Sequence, residues 1–309
     1  MPQSYVGVDV SKSFLDIHWL ETGRSDRQPN TDFSNTKLAS KLAGAHVIFE
    51  ASGGYEISLA IALAEAGVTA SRINPRLARR FAQASGILAK TDRIDAEILA
   101  RFGASMKPDP TRLPGPARRQ LAELVARRDV LRDMAQQESN RLENMVDAWL
   151  RKAIRASMRS LCKQIERVEA RIAETINADE ELRKLDHRLR TLPGIGPTIS
   201  AILLARMPEL GQLDRREAAC LAGLAPHACE SGNMKGRRMI WGGRAELRRA
   251  LFLAARVAAL HHPPMRSRYD AMRAAGKPYK VAIIAIARRL ITIANHMIRY
   301  EHDYAAERV

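Results

Sequence analysis

From Ala117 to Leu192 the chain contains neither glycine nor proline, although Pro114-Gly115-Pro116 precedes the stretch and Pro193-Gly194 closes it. So long a run without a backbone breaker predicts helix over nearly all of it, and its brackets divide the chain into 1–110, 111–190 and 191–309. Leu121, Leu124, Leu131, Ala135, Leu142, Met145 and Trp149 keep a three-four apolar spacing, and Ile154, Met158, Leu161, Ile165, Val168 and Ile172 resume it. The register breaks near Leu150 to Ala153, which predicts two arms: a helical hairpin, or a coiled coil pairing with another copy. Arg118, Arg119, Arg127, Arg128, Arg151, Lys152 and Arg155 read as solvated faces of these arms, some able to track phosphates.

The first third alternates strand and helix signals. Tyr5 to Val10 reads as a buried strand carrying one acid, Asp9, with Phe14 to Leu20 as its hairpin partner across the polar turn Ser11-Lys12-Ser13. An unpaired aspartate in an apolar strand costs several kcal/mol, so Asp9 should be hydrogen-bonded, neutral or bound to a cation. A helix is expected over Lys37 to Leu42. A second buried strand, Ala45 to Glu50, ends in an acid, and helix, strand and helices follow to Leu99. This order matches a ribonuclease H-like layout, in which carboxylates from the first strand, the end of the fourth and a late helix meet above the sheet.

The late helix opens at Lys90-Thr91-Asp92-Arg93-Ile94-Asp95, where Thr91 or Asp92 can cap the free amides and Asp92 and Asp95 share one face. Acids in a first helical turn also offset the macrodipole, so the pair alone does not decide between metal ligation and helix stabilisation. Together Asp9, Glu50, Asp92 and Asp95 form an oxygen-rich set suited to Mg²⁺ and in-line phosphoryl transfer. Asp16, Glu56 and Glu97 read as solvated surface.

The last third is the most basic. The net charge is +16, and residues 191–309 hold 19 Lys/Arg against 9 Asp/Glu where residues 1–110 are nearly balanced, at 13 against 12. Folded segments rich in arginine point to nucleic acid as the polyanionic partner, ahead of a membrane surface. The apolar run Val281 to Ala287 is cut by Arg288 and Arg289, both expected on or near the outside, so no bilayer span is predicted. Cys162, Cys220 and Cys229 have no paired or metal-type spacing, and the protein is expected to be soluble and cytoplasmic.

Thr191-Leu192-Pro193-Gly194-Ile195-Gly196-Pro197 is either the hairpin of a helix-hairpin-helix, whose amides meet a phosphate, or a plain inter-helix turn. The long glycine-rich loop Gly223 to Arg244 presents Ser231 before Gly232, with Lys235, Arg237, Arg238, Arg244 and, on the next helix, Arg248 and Arg249. Guanidinium groups at this density suit a phosphodiester. Ser-Gly-Asn by itself is ordinary turn chemistry, and His227 is open to a structural or a proton-carrying role.

Gly7-Val8-Asp9-Val10-Ser11-Lys12, Glu50-Ala51-Ser52-Gly53-Gly54-Tyr55, Thr91-Asp92-Arg93-Ile94-Asp95-Ala96, Leu192-Pro193-Gly194-Ile195-Gly196-Pro197 and Glu230-Ser231-Gly232 with Gly242-Gly243-Arg244 resemble the DEDD-type insertion-sequence transposases, relatives of the Piv-type DNA invertases. The resemblance runs over nearly the whole chain. It implies an α/β RuvC-like catalytic domain at 1–110, a coiled-coil linker for oligomerisation at 111–190 and a mainly helical transposase domain at 191–309. It further implies Asp9, Glu50, Asp92 and Asp95 as Mg²⁺ ligands and Ser231 as a nucleophile that forms a phosphoserine. A structured bridge RNA, donor and target DNA, and a dimer or tetramer are the implied partners. The alternatives are a RuvC-like structure-specific nuclease, which would activate water with the same acids, and a non-catalytic nucleic-acid-binding scaffold.

Overall fold

The first apolar run folds as β1 (Ser4–Val10), which pairs antiparallel with β2 (Phe14–Trp19), itself antiparallel to β3 (Ser25–Pro29). On its other side β1 runs parallel to β4 (Ala45–Glu50), and β4 parallel to β5 (Thr69–Ile73), giving the order β3-β2-β1-β4-β5. The two-residue period of a strand sorts the side chains between two helical layers. Val6, Val8, Val10, Leu15, Ile17, Val47 and Phe49 pack against α1 (Asp32–Lys41) and α2 (Ile57–Glu65). Tyr5, Ile48 and Ile73 pack against α3 (Pro75–Ala84) and α4 (Asp92–Met106). Each such fully buried aliphatic side chain contributes about 1.5–3 kcal/mol. Helix α1 starts at Asp32 and not near Lys37, because the Thr31 side chain already caps it by accepting from Ser34 N.

The computed structural model describes residues 4–87, 91–111, 113–227, 230–231, 234–235 and 239–305, with the backbone alone at His227, Glu230, Ser231, Met234 and Lys235. The chain divides into two compact units, Met1–Leu113 and Pro114–Val309. The mixed five-stranded sheet of the first is consistent with a ribonuclease H-like fold.

In the second unit α5 (Pro116–Glu143) and α6 (Ala148–Ala178) pack on each other as a helical hairpin. The turn falls before the expected break near Leu150 to Ala153: Asn144 ends α5, and Asp147 caps α6 by accepting from Leu150 N at 2.7 Å. The two arms of one chain therefore supply each other's apolar partner. At the base of the hairpin Leu121, Val125, Ile172 and Ile176 share one core with α7 (Glu180–Arg190), α8 (Pro197–Arg206) and the helices that follow. The basic rows of the hairpin are not uniformly solvated. Arg128 is 1% exposed and pairs with Asp129, Arg118 reaches Glu181, and Arg151 donates to the Leu142 and Met145 carbonyls at the end of α5.

The turn between α7 and α8 is a packing turn. Gly194 has φ +83°, and a Cβ there would lie 2.3 Å from the Ala254 carbonyl oxygen on α10 (Ala245–His261), while Leu192 and Ile195 are buried beside it. Asp214 caps α9 (Arg215–Leu221) through a reciprocal box with Glu217. After α10 come α11 (Pro263–Ala274) and α12 (Tyr279–Arg299). By length and hydropathy alone α12 is long and apolar enough to cross a membrane, as a buried core helix also can be. Half of its apolar window is buried, and Ile283, Ile286, Leu290, Ile291 and Met297 belong to the core. Cys162 and Cys220 are free and exposed, and Cys229 lies outside the described residues.

Candidate active site

The acids of the first unit are positioned by one close approach. A Cβ on Gly7 would meet Ala96 O at 2.0 Å and Ala100 N at 2.5 Å, so α4 crosses β1 with no room for a side chain, and odd positions of β1 face α4. Two residues on, Asp9 lies on that face. A Cβ on Gly103 would likewise strike Ile48, so Ile48 and, two residues on, Glu50 also face α4. The parallel register ends at Val8 and Phe49, one residue before Asp9 and Glu50 on their strands. Since Gly103 lies near Tyr5 while Ala96 and Ala100 lie over Gly7, α4 runs back along β1 and brings its first turn, with Asp92 and Asp95, toward Asp9. Thr91 is the cap, accepting from Ile94 N at 3.3 Å.

The charge is unbalanced. Burial, then Glu50, Asp95, Asp92 and Asp16, push the Asp9 carboxyl up to about 7. Glu50 and Asp95 line a cavity of about 330 Å³ with Pro75, Arg76, Ala78 and Arg79 of α3. The four sequence-predicted acids are thus within electrostatic reach of one another. They are not closed into a cage: among the described residues no three His, Cys, Asp or Glu side chains approach closely enough to hold an ion. Carboxylates without a cation repel, and Asp92, 61% exposed in its side chain, is drawn to the rim by Arg27. The donor set is all carboxylate oxygen with a surplus of negative charge, which fits a hard divalent cation such as Mg²⁺.

Two residues of this cluster escaped the sequence reading. Asp16 is the direct antiparallel partner of Asp9, and Arg27 is the partner of Asp16 on β3, so Arg27, Asp16 and Asp9 form one row across the sheet. Arg27 grips Asp16 through Nε (3.0 and 3.1 Å) and Nη2 (2.8 Å), and the same Nη2 donates to Asp92 at 2.7 Å. Its guanidinium lies 5.4 Å from the Phe14 ring centroid, a cation-π distance. Asp16, with 13% of its side chain exposed, is therefore not solvated surface. Nor is Glu56, 3% exposed, which accepts from Ser52 N and Gly54 N and holds the turn after β4. Glu97 is half-exposed and pairs with Arg101 along α4.

In the second unit the loop Gly223 to Arg244 is a folded-back pair of short ladders. The outer one joins β6 (Pro226–His227) to β9 (Met239–Ile240), and the inner one joins β7 (Glu230–Ser231) to β8 (Met234–Lys235), with Ser231 opposite Met234. Its base is closed by two glycine turns in contact. Gly243, φ +62°, would place a Cβ 2.3 Å from Gly223 N. Arg244 and Arg248, expected at a phosphate, are engaged at this base. Arg244 donates to both oxygens of Glu209 (2.8 and 2.7 Å) and to Arg206 O (2.6 Å), and Arg248 donates to Gly242 O at 2.9 Å. Ser231 and Lys235 are described in backbone only, and Arg237 and Arg238 lie outside the described residues.

A mixed sheet bearing a row of carboxylates at the ends of its central parallel strands, joined to a basic helical unit, defines a class: enzymes of phosphoryl transfer on nucleic acid. A DEDD transposase model of the IS110 type matches residues 6–150, and the transposase family IS116/IS110/IS902 matches residues 186–270. The pilin gene-inverting protein of Moraxella bovis is 28% identical over 98% of both chains, and that of Moraxella lacunata 27% over the same share. An insertion element IS110 protein of Streptomyces coelicolor is 29% identical over 80% of this chain and 61% of its own length. The chain belongs to the IS110-type DEDD transposase and DNA invertase family, enzymes that recombine DNA by phosphoryl transfer.

Proposed function

We propose that the chain joins donor and target DNA by Mg²⁺-assisted transesterification through Ser231, guided by a structured bridge RNA and working as a homo-oligomer in the cytoplasm. The observation that supports the metal part is the crowding around Asp9, which feels Glu50, Asp95, Asp92 and Asp16 at once, with Arg27 bonded to Asp16 and Asp92. Asp9, Glu50, Asp92 and Asp95 would hold the metal. When bound, Mg²⁺ supplies Lewis-acid charge at the scissile phosphate. Ser231 Oγ forms a bond to phosphorus as the bond from phosphorus to one DNA oxygen breaks, and that oxygen leaves with a proton. A DNA hydroxyl then attacks the phosphoserine and returns the proton to Ser231. The exchange conserves the number of phosphodiester bonds, which a water nucleophile would not. The guide RNA rests on the family likeness and on the positive surplus of residues 191–309.

The test is to incubate the full chain with its element's RNA, DNA and Mg²⁺ and to map any covalent protein-DNA adduct by mass spectrometry. An adduct on Ser231 that disappears in Ser231→Ala supports the reading. Cleavage that survives Ser231→Ala replaces it with the water-activating nuclease, and activity that needs no RNA removes the guide.

A further inference from the structure

We propose that the cavity enclosed by α9, α11 and α12 is a binding site for a single strand of nucleic acid, gripped by its phosphates without regard to sequence. The cavity measures about 1140 Å³ and is lined by Arg215 and Arg216 of α9, Arg268 of α11, and Arg288 and Arg289 of α12. Among the described residues that line it there is no acid and no aromatic; Met272, Ile286 and Ile293 supply apolar lining. Among the described residues none of the five guanidinium groups forms an ion pair or donates a hydrogen bond, whereas Arg244 and Arg248 nearby in sequence are engaged. Arg289 Nε is buried without a partner. Burial, then Arg268, depress the proton affinity of Arg289, with Arg215 acting the same way and Tyr304 opposing.

The ligand class follows from size and chemistry. Arginine forks match phosphate bidentately, and five of them exceed what one phosphate can neutralise, so a run of linked phosphates is required. A duplex presents its phosphates on a convex surface and cannot enter a recess, whereas a single strand can. An apolar floor without an aromatic platform packs sugar carbons but does not stack or read bases. Ala225 and Pro226 at the rim lead directly into β6, the first strand of the serine-bearing hairpin, so a strand held here is delivered beside that hairpin. This inference rests on the family's action on nucleic acid and needs neither Mg²⁺ nor Ser231.

The experiment uses the full chain in EDTA, so that the carboxylate row contributes nothing, with a labelled scrambled strand of about fifteen nucleotides. DNA and RNA strands of one sequence form two arms, and a duplex and tripolyphosphate serve as competitors. Arg268→Gln/Arg289→Gln and, independently, Arg215→Gln/Arg288→Gln should each weaken strand binding about tenfold or more at low salt. Each should also lower the slope of log affinity against log salt by about 1.4, at roughly 0.7 per lost phosphate contact. Arg159→Gln/Arg167→Gln on exposed α6 should change neither. Both pocket variants should melt at or above the parent temperature, since like charge has been removed. Equal loss for DNA and RNA fits a phosphate grip, and loss for one alone narrows the site to that strand. Unchanged affinity and slope in either folded pocket variant, or tripolyphosphate competing as well as the strand, overturns the proposal. A null result here leaves the Ser231 adduct test untouched.

Discussion

The two units gather charge of opposite sign at separate places. In Met1–Leu113 four other carboxylates collect around Asp9, with Arg27 bonded to two of them and Arg76 and Arg79 lining a cavity with the other two; in Pro114–Val309 five arginines line a cavity that has no acid among its described lining residues. A fold selected only for stability would pair or expose such groups, because like charges brought together in partial burial cost free energy. The difference lies in the scaffold. The sheet and the close approach of α4 to β1 at Gly7 gather the acids through rigid backbone packing. The helices set their arginines on three long side chains' worth of reach, which suits a flexible strand more than an ion.

The largest effect that would test this contrast is on strand exchange. Asp9→Ala should reduce recombination by about a thousandfold or more, as expected when a metal-assisted phosphoryl transfer loses a central ligand. A quantitative joining assay with purified RNA, DNA and Mg²⁺ reads it, and retention of more than a tenth of the activity would show that the row is not catalytic. Next comes Gly7→Val, which forces a side chain into the α4 backbone at a site where even a Cβ has no space. Urea denaturation should show a loss of about 3 kcal/mol or more in the first transition.

The acid row also predicts a pH dependence. The folded carboxyl of Asp9 sits at about 7 against 3.8 for an aspartate free in water, so between these values the folded state binds a proton that the unfolded state has lost. Metal-free stability should therefore fall as pH rises from about 4 through 7. Asp9→Asn should flatten that slope and gain on the order of 1–2 kcal/mol at neutral pH, after allowance for solvent screening. Thermal melts in EDTA across this range would check it, and a parent profile no steeper than that of Asp9→Asn would remove the electrostatic account.

How much of this was legible varies by residue. Asp9 and Glu50 were readable because a single acid in or ending an apolar strand is conspicuous, and Asp92 and Asp95 because cap and spacing mark a helix start. Asp16 was readable in principle. A hairpin folded about Ser11-Lys12-Ser13 places it opposite Asp9, but judging it by element order and not by register left it on the surface. Arg27 lay beyond reach, since β3 reads Ser-Asp-Arg-Gln-Pro with no apolar alternation, and only the β2 register identifies it. The nested strands around Ser231 are two residues each, too short for any period. Two charges that end an apolar run place Arg288 and Arg289 on or near the outside, and in the structure both are half-buried and line the cavity beside α9 and α11.

Arg27 offers the smallest and sharpest test of the contrast between the two units. Its guanidinium bridges Asp16 and Asp92 and lies against Phe14, so it supplies positive charge at the rim of the acids. If it stands in for the metal, the two compete for Asp92, and Arg27→Ala should tighten Mn²⁺ or Mg²⁺ binding by about two- to fivefold, the range of a solvent-exposed ion pair. Isothermal titration of the full chain without nucleic acid measures this directly. Weaker binding in Arg27→Ala would instead make Arg27 a positioning residue, holding Asp92 in the orientation the metal requires. The two outcomes separate by sign. A placeholder would mean that the sheet of the first unit supplies its own provisional counter-charge, whereas the arginine cavity of the second has no such substitute among the described residues.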